Sequence, residues 1–300
     1  MKIQLLNFKM AILLVAVLCF QKNVSAQWEQ LPVIDPAYPT QNFYSIYFTD
    51  DYTGYAGGYE GIYRTADAGN SWTKVVSDAS FPMLAFHFVN SNVGFAVGNK
   101  NHAYKTTNGG ITWTNMNLPY RGVGLSEAHA VYFLDNNIGF IGAAYQVIDG
   151  TQPRHTYIYK TIDGGLTWTT KLDFTDAYII DGPRFTTDRF SFRAFSFLNP
   201  STAFAVGSSI GGAVGVAGLV YKTVDAGQTW TVVTTSIKDN LDDVRFVSPV
   251  EGYIYGRNCI YKTTDGGSTW ISNGCTNLNR QTKAVNISEA GIVSSLITFF

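Results

Sequence analysis

From residue 44 onward, apolar and polar positions alternate over short runs, and the runs recur in a fixed order. SIYFTDDYTGYAGG, AFHFVNSNVGFAVG, AVYFLDNNIGFIGA, AFSFLNPSTAFAVG and VRFVSPVEGYIYG each read as a strand, a polar turn, then Gly and an aromatic or apolar residue opening a second strand. A period of two bounded by turn formers predicts antiparallel strands and not helices. After each set comes a second recurring piece: YRTADAGNSW (63–72), YKTTNGGITW (104–113), YKTIDGGLTW (159–168), YKTVDAGQTW (221–230) and YKTTDGGSTW (261–270). This reads as the end of a third strand, a tight turn, and a fourth strand starting at Trp. A sixth copy of the first strand, AVNIS (284–288), puts Val285 and Ile287 where the first copy has Ile46 and Phe48.

Four strands per unit, repeated at such spacing, predict an all-β fold: a β-propeller of four-stranded antiparallel blades. Counted from Tyr44, Leu84 and Asp242 to the box Trp, three units span 28, 29 and 28 residues. From His129 and Arg193 the spans are 39 and 37, so blades three and four carry insertions at QVIDGTQPRHT and SSIGGAVGVAG. The link from Trp168 to Arg193 is also long and adds KLDFTDAYIIDGPRFTTDR. The sixth unit starts at Lys283 and ends at Phe300 without its Trp. Trp28, in WEQL, can supply the missing outer strand. About six blades are expected, the last incomplete and closed by N-terminal sequence, with a truncated seven-bladed ring as the alternative. Residues 27–300 are expected to form this one domain.

The box has a local mechanism. Asp67, Asn108, Asp163, Asp225 and Asp265 can accept hydrogen bonds from the backbone of their own turn. Glycine two residues later allows a left-handed backbone, and Trp72, Trp113, Trp168, Trp230 and Trp270 bury large rings between sheets. Because the carboxylates recur in almost every unit, they are expected to be structural. The repeated Lys105, Lys160, Lys222 and Lys262 are expected to be solvated strand residues.

The pattern T-x-D-G-G-x-T-W resembles the Asp-box, or bacterial neuraminidase repeat. With Tyr-Lys-Thr ahead of it, the chain is most similar to the photosystem II stability/assembly factor family over about residues 44–288. That resemblance implies a propeller with an assembly or scaffold role toward membrane-protein partners. Sialidases, some endoglucanases and sorting receptors share the box, so it implies a fold and not an activity.

The first 26 residues change the setting. Lys2 and Lys9 precede an apolar run from Met10 to Phe20, and Val24, Ser25 and Ala26 make a small-x-small end. This predicts a secretory signal cleaved before Gln27; eleven apolar residues fall short of the roughly 20 a membrane helix needs. Lipidation at Cys19 is disfavoured by Leu18 ahead of it. The mature protein is expected to be secreted or periplasmic, without a transmembrane segment, and monomeric. In an oxidising compartment Cys259 and Cys275 can pair, because the midpoint between them lies inside a predicted hairpin turn; two free thiols are the alternative.

Net charge is −1 over 300 residues, with 22 acidic and 21 basic side chains. Nucleic acid is therefore not an expected partner, since phosphate binding needs a clustered basic excess. The four histidines show no metal-ligand spacing, and His87 alternates into a blade as a core residue would. No Gly-rich phosphate loop precedes a helix, and no Ser nucleophile elbow appears. Neither metal nor cofactor is expected.

In an up-and-down blade the insertions fall on the face opposite the boxes, where long loops on a rigid scaffold usually bind. The candidate binding residues there are Asp149, Arg154, His155, Asp173, Asp176, Tyr178, Asp181, Arg184, Asp188 and Arg189. At the mouth of the central channel, Tyr44, Glu127, His129, Arg193, Asp242 and Lys283 join them. The expected function is a non-catalytic propeller that binds a protein or glycan partner through this face, with no assigned catalytic residue. The alternative is a secreted glycoside hydrolase using loop carboxylates such as Asp176 and Asp181, whose spacing would have to suit two-carboxylate chemistry. Sialidase activity is disfavoured, because no Arg-Ile-Pro segment precedes the first box.

Overall fold

The computed structural model describes residues 34, 42–77, 82–100, 102–119, 125–146, 154–176, 191–211, 215–233, 237–275, 282–287 and 293–298. The signal segment and Trp28 lie outside the described residues. Blade one is built from strands Phe43–Phe48, Gly54–Gly58, Gly61–Thr65 and Thr73–Val76, paired antiparallel in that order. Four more sheets repeat this meander, with inner strands Met83–Phe88, Leu125–Phe133, Ser191–Phe197 and Leu241–Phe246. A sixth, two-stranded sheet joins Thr282–Ile287 to Val293–Thr298. Each inner strand lies against the inner strand of the next sheet, so the sheets are the blades of a β-propeller, the sixth represented among the described residues by two strands.

The core sits between blades and is aromatic. The ring opening a second strand stacks on the last ring of the next blade's inner strand, and that blade's box Trp closes the cluster edge-on. Tyr55, Phe88 and Trp113 form one such set, with centroids 4.4 and 6.0 Å from Phe88. Phe95, Phe133 and Trp168 form another, as do Phe140, Phe197 and Trp230 and Phe204, Phe246 and Trp270. Offset and edge-to-face pairs of this kind stabilise beyond the area they bury, by about 0.5–1.5 kcal/mol each.

The box turn is organised around a threonine. The buried Thr161 hydroxyl accepts the Gly165 N–H at 2.9 Å and donates to Asp163 Oδ1 at 2.7 Å. Asp163 in turn accepts the Thr167 N–H and the Thr167 hydroxyl. Thr65, Thr106, Thr223 and Thr263 repeat the same hub. Gly227, at φ 71°, lies so close under the Phe140 ring of the preceding blade that a Cβ would come within 2.2 Å of it. A second repeated cap, at the polar turn that recurs in the sequence, closes the first hairpin of blades one to five. Asp50, Asn90, Asp135 and Asn199 accept two backbone N–H groups each, and Ser248 takes the same place in blade five. The two kinds of turn are hydrogen-bonded side by side, as in Gly164 N–H to Asn137 O at 2.8 Å. They define one face of the propeller, the box face.

Three expectations need correction. The strand-three cations are not solvated. Lys105 donates to Gly164 O at 3.0 Å, Lys160 to Ala226 O at 2.6 Å and Lys222 to Gly266 O at 3.4 Å, each reaching the next blade's box. Arg64 does the same to Gly109 O at 2.8 Å. Their ammonium groups also lie over Phe95, Phe140 and Phe204, and Lys160 is only 4% exposed. A box turn leaves carbonyls facing its neighbour, and a long cation satisfies them while its stem covers the aromatic core. Only Lys262 differs: it pairs with Glu251 of its own blade at 2.8 Å.

The second correction concerns the insertions. Their described residues, 146 and 154–156 in blade three and 208–211 and 215–218 in blade four, are strand and not loop, because Gly139–Gln146 pairs with Arg154–Thr161 and Ala203–Gly211 with Gly215–Thr223; residues 147–153 and 212–214 lie outside the described residues. Residues such as Val216 and Val220 keep the period-two pattern that feeds a ladder. Third, the link after Trp168 begins with an eight-residue outer strand, Thr169–Asp176. Cys259 and Cys275, opposite in register, form a disulfide with Cα atoms 4.0 Å apart.

Candidate functional site

One irregularity recurs in every blade. The ladder between inner and second strands slips by one residue near the start of the inner strand, on the face opposite the boxes. The residues left out of pairing are Tyr44, Leu84, His129, Arg193, Asp242 and Lys283. A bulge bends its strand and re-aims the extra side chain, which is why bulges gather beside binding sites. The surrounding repeat stays nearly constant in Gly, aromatic, Thr and Trp. The bulged position holds six different residue types, spanning aromatic, aliphatic, basic and acidic chemistry.

The bulged side chains of neighbouring blades converge. Asp242 Oδ1 lies 3.5 Å from Arg193 Nε across the boundary of blades four and five, and Asp242 Oδ2 lies 3.8 Å from Arg257 Nε. All three side chains are less than one-fifth exposed. These are ion-pair separations beyond hydrogen-bond length, and the buried Arg257 Nε has no hydrogen-bond acceptor among the described residues. Next to Asp242, burial pushes the Asp243 carboxyl up to about 6, against the opposing pull of the Val244 N–H. Desolvation raises the Tyr255 hydroxyl, its register partner, to about 12.

In blade three, His129 Nε2 lies 2.9 Å from Glu127 Oε2, and Asn99 of blade two donates to Glu127 Oε1 at 3.3 Å. Glu127 is 7% exposed, so its charge is held by partners from two blades. On the other side, Tyr44 lies beside Tyr59, with ring centroids 6.2 Å apart. The mouth is thus aromatic and aliphatic at blades one and two and ionic at blades three to five. Such a surface can recognise a ligand by charge and ring stacking together.

The remaining candidates fall into three groups. His155 Nδ1 meets Asp173 Oδ1 at 2.8 Å on the extended sheet of blade three, with His155 stacked on Tyr157. Both are therefore strand residues and not loop residues. Arg154 and Asp176 occupy opposed register positions at the end of the same strands. Asp149, Tyr178, Asp181, Arg184, Asp188 and Arg189 lie outside the described residues. Among the described residues, no group of three or more His, Cys, Asp or Glu could hold a metal ion, and no helix is long and apolar enough to cross a membrane.

Sequence reading missed Arg257, Asn99 and Asp239. Asp239, 2% exposed, accepts the N–H groups of Asn258 and Cys259 and the Asn258 amide, pinning the turn that carries Arg257. A signal existed: Asp239 follows the apolar Ile237 by two residues and precedes an inner strand, a place where a charge needs a reason.

No protein-family profile matches the chain, and no curated protein does. Solved structures do. YCF48 bound to a D1 peptide is similar over 86% of this chain and 89% of its own, at 17% identity and a TM-score of 0.48. The GH74 enzyme of Niastella koreensis is similar over 81% of this chain, at 20% identity and a TM-score of 0.54. A GH74 xyloglucanase from Xanthomonas campestris is similar over 73%, at 12% identity and a TM-score of 0.53. The chain spans 40% and 36% of those two enzymes. At such identities the likeness shows the propeller fold and nothing finer.

Proposed function

We propose that this chain is an exported, monomeric, non-catalytic propeller that binds a protein or glycan partner at the channel mouth opposite the boxes, in the manner of a scaffold or assembly factor. The carrying observation is the bulge repeated in six inner strands with a different residue in each. Where a repeat is kept constant for packing, the positions freed from packing are those available for recognition. The carboxylates found there support binding over hydrolysis. Glu127 is held by His129 and Asn99, and Asp242 lies between two arginines, which suits charge recognition.

The test is a glycan array and a peptide array probed with the wild-type chain, Arg193→Ala and Tyr44→Ala. A hit weakened about tenfold or more by both substitutions, with melting temperature unchanged, supports the reading. Hits indifferent to both would move the site away from the mouth. Release of reducing sugar from a bound glycan would replace the reading with the hydrolase alternative.

A further inference from the structure

Asparagine followed by glycine occurs twice in the chain, at Asn108–Gly109 and at Asn273–Gly274. In this dipeptide a backbone nitrogen reaches the preceding side-chain amide most readily, because glycine puts no Cβ in the way. The fold treats the two copies oppositely.

Asn108 sits in the box of blade two, where both polar atoms of its side chain are held. Its Oδ1 accepts the Thr112 N–H at 3.0 Å and the Thr106 hydroxyl at 3.0 Å, and its Nδ2 donates to the Thr112 hydroxyl at 2.8 Å. The Gly109 N–H is committed to Asn92 O at 2.9 Å. Any reaction between the two groups requires this clasp to open first.

Asn273 lies on the outer strand of blade five, Ile271–Cys275, where every residue is exposed. The ladder pairs Tyr261 with Ser272 and Cys259 with Cys275, so Asn273 and Gly274 together stand opposite Ile260 and the register shifts there. Two residues opposing one make a bulge, which lifts the chain out of regular pairing. Gly274 takes φ 134°, and a Cβ built on it would meet nothing within 4 Å. Among the described residues no hydrogen bond holds the Asn273 side chain. The ends of this arch are fixed by the Cys259–Cys275 disulfide and by the 3.1 Å contact of Ser272 Oγ with Cys275 Sγ. Its middle can therefore rearrange without opening the strand.

From this exposed, out-of-register Asn-Gly arch we propose that Asn273 is a site of spontaneous deamidation, converting to aspartate and to β-linked isoaspartate in the folded protein. The Gly274 nitrogen, giving up its proton, forms a bond to Asn273 Cγ; the Cγ–Nδ2 bond breaks and ammonia leaves with a proton. Water then adds to one of the two carbonyls of the cyclic imide. Addition at Cγ restores the main chain with an aspartate side chain, and addition at the Asn273 carbonyl carbon routes the main chain through Cβ and Cγ. The net exchange is amide and water for carboxylate and ammonium, with nothing oxidised or reduced. The product places a carboxylate beside the disulfide on a strand that otherwise carries no charge. The site does not depend on the channel-mouth reading.

The test incubates the full, disulfide-intact chain at mildly alkaline pH in heavy-oxygen water and maps its peptides by mass spectrometry. A second sample is reduced and unfolded in denaturant. In the folded chain Asn273 is expected to convert at least about tenfold faster than Asn108, which must first break its clasp and the Gly109 N–H bond. In denaturant the two should convert at comparable rates, each taking up heavy oxygen. Asn273→Gln, whose longer side chain disfavours the same ring, should abolish the fast conversion and leave Asn108 as slow as before. Three results would each overturn the proposal: equal rates in the folded chain, an Asn273 that stays intact while the unfolded chain converts, or a rate gap that persists in denaturant. The last would assign the difference to flanking sequence instead of the fold.

Discussion

At the scale of single residues, the box is a hydroxyl-centred turn that tolerates exchange of its namesake acid. Blade two already carries Asn108, which accepts the Thr112 N–H at 3.0 Å and donates to the Thr112 hydroxyl. Asp163→Asn is therefore expected to fold and to melt within a few degrees of wild type at neutral pH. Thr161→Val removes the buried hub, strands the Gly165 N–H and Asp163, and should destabilise by roughly 1–3 kcal/mol in chemical denaturation. Gly227→Ala combines positive φ with a clash against Phe140 and should cost about as much or more. His87 gives a pH signature. Its Nδ1 accepts the Phe133 N–H at 3.2 Å, and burial lowers its pKa to about 4. The unfolded chain takes up this proton near pH 6.5, so the contribution is fully present above that value and is lost as pH falls toward 4. Stability should decline by roughly 2 kcal/mol over this window, and His87→Gln should flatten that part of the curve.

At the scale of elements, the strand boundaries and both repeated turns were close to legible from alternation and turn residues. The lysines were not, because an alternating strand shows which face a residue takes but not what the next blade offers it. Lys160 reads as polar and outward, yet its ammonium ends on a neighbour's carbonyl sixty-six residues away. The blade-four insertion is opaque for a similar reason: GGAVGVAG looks like a loop by its glycines, while Gly211 and Gly215–Gly218 lie on paired strands whose partner is set by the ladder beyond. The bulges left no mark in composition, although the spacing count had begun each unit at the residue they later set free. Cys259–Cys275 was legible because its residues are symmetric about a hairpin. Reducing it unties the outer strand of blade five and should lower stability by about 2–4 kcal/mol, read as a fall in melting temperature under dithiothreitol.

At the scale of the whole molecule, the two faces of the propeller are made by different turns. The channel mouth gathers chemistry from one residue per blade. No local window of sequence contains more than one of the bulged residues, so their variety was visible only once the repeat was aligned on itself. Arg193→Ala should cost less thermal stability than the loss of a core ring, since its contact with Asp242 is long and Arg257 also lies beside that carboxylate. Removing Phe140, by contrast, opens the interface of blades three and four. Phe140→Ala should cost about 3–5 kcal/mol by denaturant titration. The predicted division is one of degree: mouth substitutions change binding more than melting, and interface substitutions change melting without selecting among ligands.

The forward reach of Arg64, Lys105, Lys160 and Lys222 gives blades one to four a hook on the third strand and blades two to five an eye in the box. A unit copied whole brings both with it and needs nothing rewritten in its neighbours to be fastened into the series. Blade number in such a chain can then change by duplication or loss of one genetic module at a time. Blade five departs from this series, its Lys262 gripping Glu251 of its own sheet.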